Sequence, residues 1–280
     1  MKQHIGQRIT ARYSELTPHE QRVATFILDH FDDFAVYNAA ELARLTGVSK
    51  ATVSRLFKRL GFDSFKDVRE HARELRNYGV PLVTDGPALD QGGELFKRHF
   101  EREQDNLRRC LAALDTATFK TVIQHLDAAR EIVIVGFRNS YPVALHLRQQ
   151  LVQARERVRL APQPGQSLAE ELAGVDENDL VIVIGFRRRA SNFDALMTAL
   201  AASAGKVVLI GDATAGRFDN DVDAWLECPL DSISAFDSYA TAMSLVNLLA
   251  NGLLHHRLKA GRARIDIISA LYDDLDELSL

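Results

Sequence analysis

The sequence predicts an all-α head followed by an α/β body on a parallel sheet, because its apolar pattern changes character near residue 80. The first 78 residues show only helical periodicity, and residues 38–60, NAAELARLTGVSKATVSRLFKRL, read as two short helices joined by a glycine turn. From residue 131 onward, unbroken apolar runs ending in glycine alternate with helical patterns, as in strands buried on both faces. Between the two regimes, residues 79–93, GVPLVTDGPALDQGG, lack periodicity and carry prolines and glycines, so they read as a linker.

In the head, Thr17-Pro18-His19-Glu20 marks a helix start, with Val23, Phe26 and Ile27 inward. Asn38 and Glu41 form a capping-box pair, followed by Leu42 and Leu45 at core spacing, and this helix stops before Gly47. Ser49 caps the next helix. At 100° per residue, Val53, Leu56, Phe57 and Leu60 share one face. Ala51, Arg55, Lys58 and Arg59 lie opposite, flanked by Thr52 and Ser54. In a helix-turn-helix the second helix enters the major groove with its N-terminal residues at base edges and long cations at phosphates. The residues expected against double-stranded DNA are therefore Lys50, Ala51, Thr52, Ser54, Arg55, Lys58 and Arg59. Gly61 ends that helix, and a further one follows with Phe65, Val68, Ala72 and Leu75 inward.

The body begins with a long helix from Glu94 to about Leu114 and a shorter one from Thr118 to Ala128. Strands are expected at 131–135, 180–184 and 207–210, each ending at a glycine, with shorter ones at 158–160 and 224–228. Helical patterns at 140–153 and 191–204 make these βα units. Residues 238–257 form a long apolar helix and 265–280 an acidic amphipathic one, so the domains are expected at 1–78 and 94–258, with 259–280 as a tail.

Charge separates along the chain as well. Residues 1–80 hold 13 Lys+Arg against 10 Asp+Glu, whereas the remainder holds 21 against 28, giving +3 and −7 within a net charge of −4. A basic head on an acidic body suits specific DNA binding by one module rather than general nucleic-acid coating. Cys110 and Cys228 are too few for a disulfide scaffold and fit a reducing cytoplasm. The segment MKQHIGQRITARY has no apolar signal core, and no apolar run reaches membrane-spanning length, so neither secretion nor a membrane partner is expected.

The head resembles the N-terminal domain of the RpiR family of bacterial transcriptional regulators. The resemblance rests on Leu16-Thr17-x-x-Glu20 with Val23-Ala24, then Ala40-Glu41-Leu42-Ala43, Gly47-Val48-Ser49-x-Ala51-Thr52-Val53-x-Arg55, and Leu60-Gly61-Phe62-x-x-Phe65. It implies a C-terminal sugar-isomerase (SIS) domain sensing a ligand, commonly a phosphosugar, which makes the body a three-layer SIS-like domain. It also implies a function in transcription regulation, often of carbohydrate metabolism. Phosphosugar-binding SIS domains carry a Gly-x-Gly-x-Ser turn after the first strand and a Ser/Thr/Gly-rich loop after the next core strand. This chain departs from both, with Gly136-Phe-Arg138-Asn139-Ser140 at the first and Gly185-Phe-Arg187-Arg188-Arg189-Ala-Ser191 at the second.

In an open parallel sheet, ligands bind beyond the carboxyl ends of the strands at the switch point. The two Gly-Phe-Arg turns occupy such ends. Arg138, Arg187, Arg188 and Arg189 near the starts of the following helices favour a carboxylate or phosphate, so a small anionic effector is expected: sugar phosphate, sugar acid or another carboxylate. Solvated arginines, or arginines paired with acids across a subunit interface, are the alternative. Asn139, Ser140 and Ser191 add neutral hydrogen bonds. Ser232, Ser234 and Asp237 either close the pocket or cap the helix that follows.

The histidines form no metal signature, His255-His256 being adjacent rather than four apart, so no metal is expected. No dinucleotide fingerprint, P-loop or nucleophile elbow is present, so neither is a cofactor or a catalytic residue. The rival reading is an isomerase-type enzyme with an accessory DNA-binding domain, which requires a general base such as Glu170 or Glu171 at a strand end. A homodimer, or a tetramer built from it, is expected to present two heads to a palindromic operator.

Overall fold

In the computed structural model, residues 5–29, 38–78, 93–233 and 236–277 are described. Of the expected linker 79–93, residues 79–92 lie outside them, as does Ser234, and Gly93 is the first residue of a helix. Two compact units are present: Met1–Phe100 with Asp231–Asp237, and Glu101–Leu230 with Ser238–Leu280.

The head is helical throughout its described residues, with α1 Ile5–Arg12, a 3-10 turn at Tyr13–Glu15, α2 Pro18–Asp29, α3 Ala39–Thr46, α4 Lys50–Arg59 and α5 Phe65–Tyr78. Its core joins Ile5 and Ile9 of α1, Val23, Ala24 and Ile27 of α2, Leu42 and Ala43 of α3, and Val53, Leu56 and Phe57 of α4. Leu45 is not part of it. That side chain is 43% exposed, and Ala43 takes the inward position beside Leu42. The eight-residue α3 buries only the face turned toward α2 and α4, and 300° of helical advance from Leu42 carries Leu45 off it.

Thr17 and Glu20 close the start of α2. The Glu20 carboxylate accepts from the Thr17 amide and hydroxyl, both at 2.9 Å, and Arg59 stands 3.7 Å away. Burial alone would raise the Glu20 pKa, but the Thr17 hydrogen bonds and the charges of Arg59 and Arg55 outweigh it and hold the value below the ordinary 4.5. A carboxylate depressed in the folded state stabilises above its unfolded pKa, and that contribution disappears as pH falls through the folded value. Hydrogen exchange on the full chain should therefore show α2 losing protection on acidification below about pH 4.5. Glu20→Gln, which removes charge-assisted bonds worth roughly 1.5–3 kcal/mol each, should lower protection at pH 7 and flatten this acid limb. An unchanged limb in the variant would assign acid lability to other groups.

The body carries α6 Gly93–Ala113, which spans the boundary between the units, then α7 Thr116–Ala128, β1 Ile132–Gly136, α8 Ser140–Ala154, β2 Val158–Ala161 and α9 Leu168–Leu172. After these come β3 Leu180–Ile184, α10 Phe193–Ala201, β4 Lys206–Gly211, a 3-10 segment Ala213–Asp221, β5 Ala224–Glu227, α11 Ala240–His256 and α12 Leu258–Leu275. The strands form one all-parallel sheet in the order β2-β1-β3-β4-β5. Alternate residues point to opposite layers. Ile132, Ile134, Leu180, Ile182, Val208 and Ile210 pack with α7, α8 and α11, while Val133, Val135, Val181, Val183, Val207 and Leu209 pack with α10 and the 3-10 segment. The unbroken apolar runs are thus explained by two covered faces.

The last helix begins at Leu258, seven residues before the acidic pattern suggests, and packs on α8. Gly261 lets it lie close against α11, since a Cβ there would stand 2.6 Å from Leu254 Cδ1, and Arg264 Nε ties it to α8 by donating to the Val152 carbonyl at 2.5 Å. Residues 259–277 are therefore a docked element of the second unit.

Candidate functional site

The reading helix α4 is held at both ends by local chemistry. Asn38 Oδ1 accepts from the amides of Ala40 (2.9 Å) and Glu41 (3.0 Å), and Glu41 accepts from the Asn38 amide (2.8 Å). Gly47, at φ 64°, makes the left-handed turn that ends α3, and Ser49 Oγ accepts from the Thr52 amide at 3.2 Å to start α4. At the far end Arg8 donates to the Leu60 carbonyl at 3.0 Å and Arg12 to that of Arg59, so cations of α1 satisfy the open carbonyls.

Lys50, Ala51, Ser54, Arg55 and Lys58 lie exposed on α4. Thr52 does not. It is 7% exposed, and its hydroxyl pairs with Ser49 Oγ at 3.0 Å, so it serves the helix start instead of the surface. Arg59 also departs from the expected face, because its guanidinium donates to the Glu15 carbonyl at 2.8 Å and faces Glu20.

In the body, strand order reverses between β1 and β3, the switch point of a 2-1-3-4-5 sheet. The two Gly-Phe-Arg turns stand at these adjacent strand ends. They are tied together, since the Phe186 amide donates to Ser140 Oγ at 3.4 Å. Both turns place an arginine in the left-handed region, Arg138 at φ 52° and Arg188 at φ 72°. Both strand-end glycines are sterically required: a Cβ on Gly136 would meet Ala144 Cβ at 2.8 Å, and one on Gly185 would meet Phe193 Cζ at 2.3 Å. Asn139 and Asn192 occupy the N-cap positions of α8 and α10 without side-chain capping bonds. At α8 the Ser140 and Tyr141 amides donate instead to the Phe137 (3.0 Å) and Arg138 (3.1 Å) carbonyls and Pro142 has no N–H, and at α10 the Phe193 amide donates to the Ala190 carbonyl (3.0 Å).

The arginines divide by environment. Arg138 is exposed with Asn139, whereas Arg187 and Arg188 are half-buried, and Ser191 is exposed before α10. Arg189 is committed to the scaffold. It donates from Nε to the Gly185 carbonyl (2.9 Å), to Thr214 Oγ1 (2.8 Å) and to Asp212 Oδ1 (2.9 Å), and the Asp212 pair is 12% exposed on both sides. Burial lowers the Arg189 pKa, with the Asp212 charge acting against it. Arg189 is thus set apart from the other three expected arginines by a carboxylate that follows β4. Asp212 follows Gly211 as Arg138 and Arg187 follow their own strand-end glycines closely, and that recurrence is the signal by which sequence could have found it. Tyr239 is a second residue that sequence reasoning missed, its ring meeting Phe186 edge-on at 5.6 Å between centroids. Ser232 belongs to the first unit, whereas the turns belong to the second.

Of the two glutamates the enzyme reading would draw on, Glu170 is exposed and Glu171 is bound to Arg159, which also reaches Glu131 at 3.1 Å. Among the described residues no group of three or more His, Cys, Asp or Glu side chains is placed to hold a metal ion. None of their helices is long and apolar enough to cross a membrane.

Comparison with known families decides the relationship. Residues 3–75 match the helix-turn-helix domain of the rpiR family, and residues 125–252 match the SIS domain. The chain belongs to the RpiR family. Among its relatives, an uncharacterized HTH-type transcriptional regulator of Providencia stuartii is 28% identical over 167 residues, 59% of each chain. The HTH-type transcriptional regulator HexR of Pseudomonas aeruginosa is 26% identical over 188 residues, covering 66% of this chain and 65% of HexR. This RpiR-family chain therefore spans about three fifths of the length of those relatives. In fold it is similar to the sugar isomerase domain of an RpiR transcription factor from Sphaerobacter thermophilus (TM-score 0.59, 19% identity, 63% of this chain and 99% of that one). It is similar over 97% of its length, and 99% of the other chain, to the Vibrio vulnificus NanR protein complexed with ManNAc-6P (TM-score 0.59, 18% identity).

Proposed function

We propose that this protein is a transcription regulator whose helix-turn-helix head binds operator DNA and whose SIS body binds a small anionic metabolite, such as a sugar phosphate, that alters DNA binding. The observation that carries the reading is the pair of arginine-bearing turns at the sheet's switch point, tied together by the Phe186–Ser140 hydrogen bond and each opening a helix. The related NanR fold holds ManNAc-6P, a phosphorylated sugar, in the same general architecture. Binding of an anion across both turns changes the relative free energies of body conformations, and hence of head spacing, only by its differential affinity for them.

A regulator, rather than an isomerase, is favoured by the names of the matched relatives, and one of the two glutamates an isomerase reading would draw on, Glu171, is held in an ion pair with Arg159. Cytoplasmic action on double-stranded DNA by a homodimer follows from the same reading. The exposed face of α4 provides the test of the DNA half. Arg55 lies along its own helix, Nε 3.4 Å from the Ala51 carbonyl, and needs only a side-chain rotation to reach DNA. Arg55→Ala should weaken operator binding by roughly 1–3 kcal/mol per half-site, about 5- to 150-fold. Loss of discrimination at one base pair would mark a guanine contact, and a shallower salt slope with unchanged discrimination a phosphate contact. Titration of labelled operator at several salt concentrations separates the two, and affinity equal to wild type at every salt would remove α4 as the reading helix.

A further inference from the structure

The last helix carries an apolar stripe that the body does not cover. Ile267, Leu271 and Leu275 are 63%, 50% and 64% exposed, and Ala260, Ala263 and Ala270 continue the stripe, also exposed. The face that docks on the body is a different one, centred on Gly261, Ile265, Ile268 and Tyr272. A free stripe with this spacing is a helix-packing seam.

Charge on α12 runs against its own dipole. The N-terminal half holds Lys259, Arg262 and Arg264, the C-terminal end holds Asp273, Asp274, Asp276 and Glu277, and there is no acid in the first turn and no base in the last. A lone helix is stabilised by the opposite arrangement, with acids at its start and cations at its end. An antiparallel helix of the same sequence removes the conflict, because its cationic start lies beside this acidic end and the two dipoles oppose. The positions are self-complementary about one midpoint. With the two-fold axis near Ile267 and Ile268, Lys259 meets Glu277, Arg262 meets Asp273, and Asp266 meets the uncharged Ala270. All six are exposed.

We infer that α12 is the contact surface for a second copy of this chain, joined antiparallel through Ile267, Leu271 and Leu275 in an isologous interface. The inference concerns which surface assembles and stands apart from the effector reading. It also places the interface one helix from the strand-end turns, since α12 packs on α8 and α8 begins at Ser140.

Three full-length variants test it by sedimentation or light scattering. Lys259→Glu with Arg262→Glu places acids opposite the partner's acidic end, and Asp273→Lys with Glu277→Lys places cations opposite the partner's cationic start. Each alone should halve the assembled mass, or weaken self-association at least ten-fold, with the loss largest at low salt. Mixing the two should restore the mass, which excludes misfolding as the cause. A chain carrying all four substitutions should assemble like wild type, because reversing both ends preserves the antiparallel match and no parallel pairing. A wild-type protein that is monomeric, single variants with unchanged mass, or a mixture that fails to reassemble would each overturn the assignment.

Discussion

Replacing Arg187 and Arg188 together by alanine should leave operator binding at its wild-type strength while the affinity for an anionic effector falls about 100-fold or more. Each charge-assisted hydrogen bond to an anion is worth roughly 1.5–3 kcal/mol, and the second turn would lose two cationic forks at once. The backbone should tolerate the change. Arg188 already holds φ 72° with a Cβ present, and alanine meets the same steric limits there as arginine. Arg138 and Asn139 of the first turn would remain, so residual binding with reduced preference for anions over neutral sugars is part of the expectation. A thermal-shift comparison of sugar phosphates, sugar acids and neutral sugars reads the outcome, since a ligand confined to the native state raises its stability by mass action. A double variant with an unaltered shift for the wild-type effector would rule out these arginines as the anion site and leave the DNA-binding half of the reading untouched.

Arg189→Ala should behave quite differently, although the three arginines are consecutive. It would strand Asp212, which is 8% exposed, without its cation and would open bonds to Gly185 and Thr214. Removing one partner of a buried pair typically costs about 3–5 kcal/mol, which for a unit of this size corresponds to a fall in Tm on the order of 10 °C. Arg189→Lys should recover little, because a point charge cannot serve three acceptors arranged around a fork. Removing Asp212 as well should recover part of the loss, giving a coupling energy between the two positions. Calorimetry of the single and double variants measures this. Wild-type Tm in Arg189→Ala, combined with lost effector response, would return Arg189 to the ligand set.

The contrast shows how far local pattern reaches. The capping residues Asn38, Glu41, Thr17, Glu20 and Ser49 act on amides within three positions of themselves, so their roles were readable from spacing. The buried stripe of α4 and the strand runs were readable because period alone separates covered faces from open ones. Thr52 was misplaced because its hydroxyl joins the Ser49 cap, and Leu45 and Arg59 where a neighbouring element decided the outcome. Arg59 turns toward Glu20, 39 positions away in sequence, and nothing in the periodicity of α4 encodes that partner.

Sequence by itself determined the all-α head, the βα repeat, the two arginine turns and the family, because each depends on residues close together in the chain. Only the tertiary structure decided that Arg189 is committed to Asp212. Parallel pairing set β4 beside β3 and so brought Asp212 against Arg189, while the 2-1-3-4-5 order put the first turn beside the second. It likewise decided that α12 docks through Gly261 and leaves Ile267, Leu271 and Leu275 outward. Charge and hydrophobicity are local properties of a residue, but their use depends on what the folded chain places opposite them, and that is fixed by long-range packing.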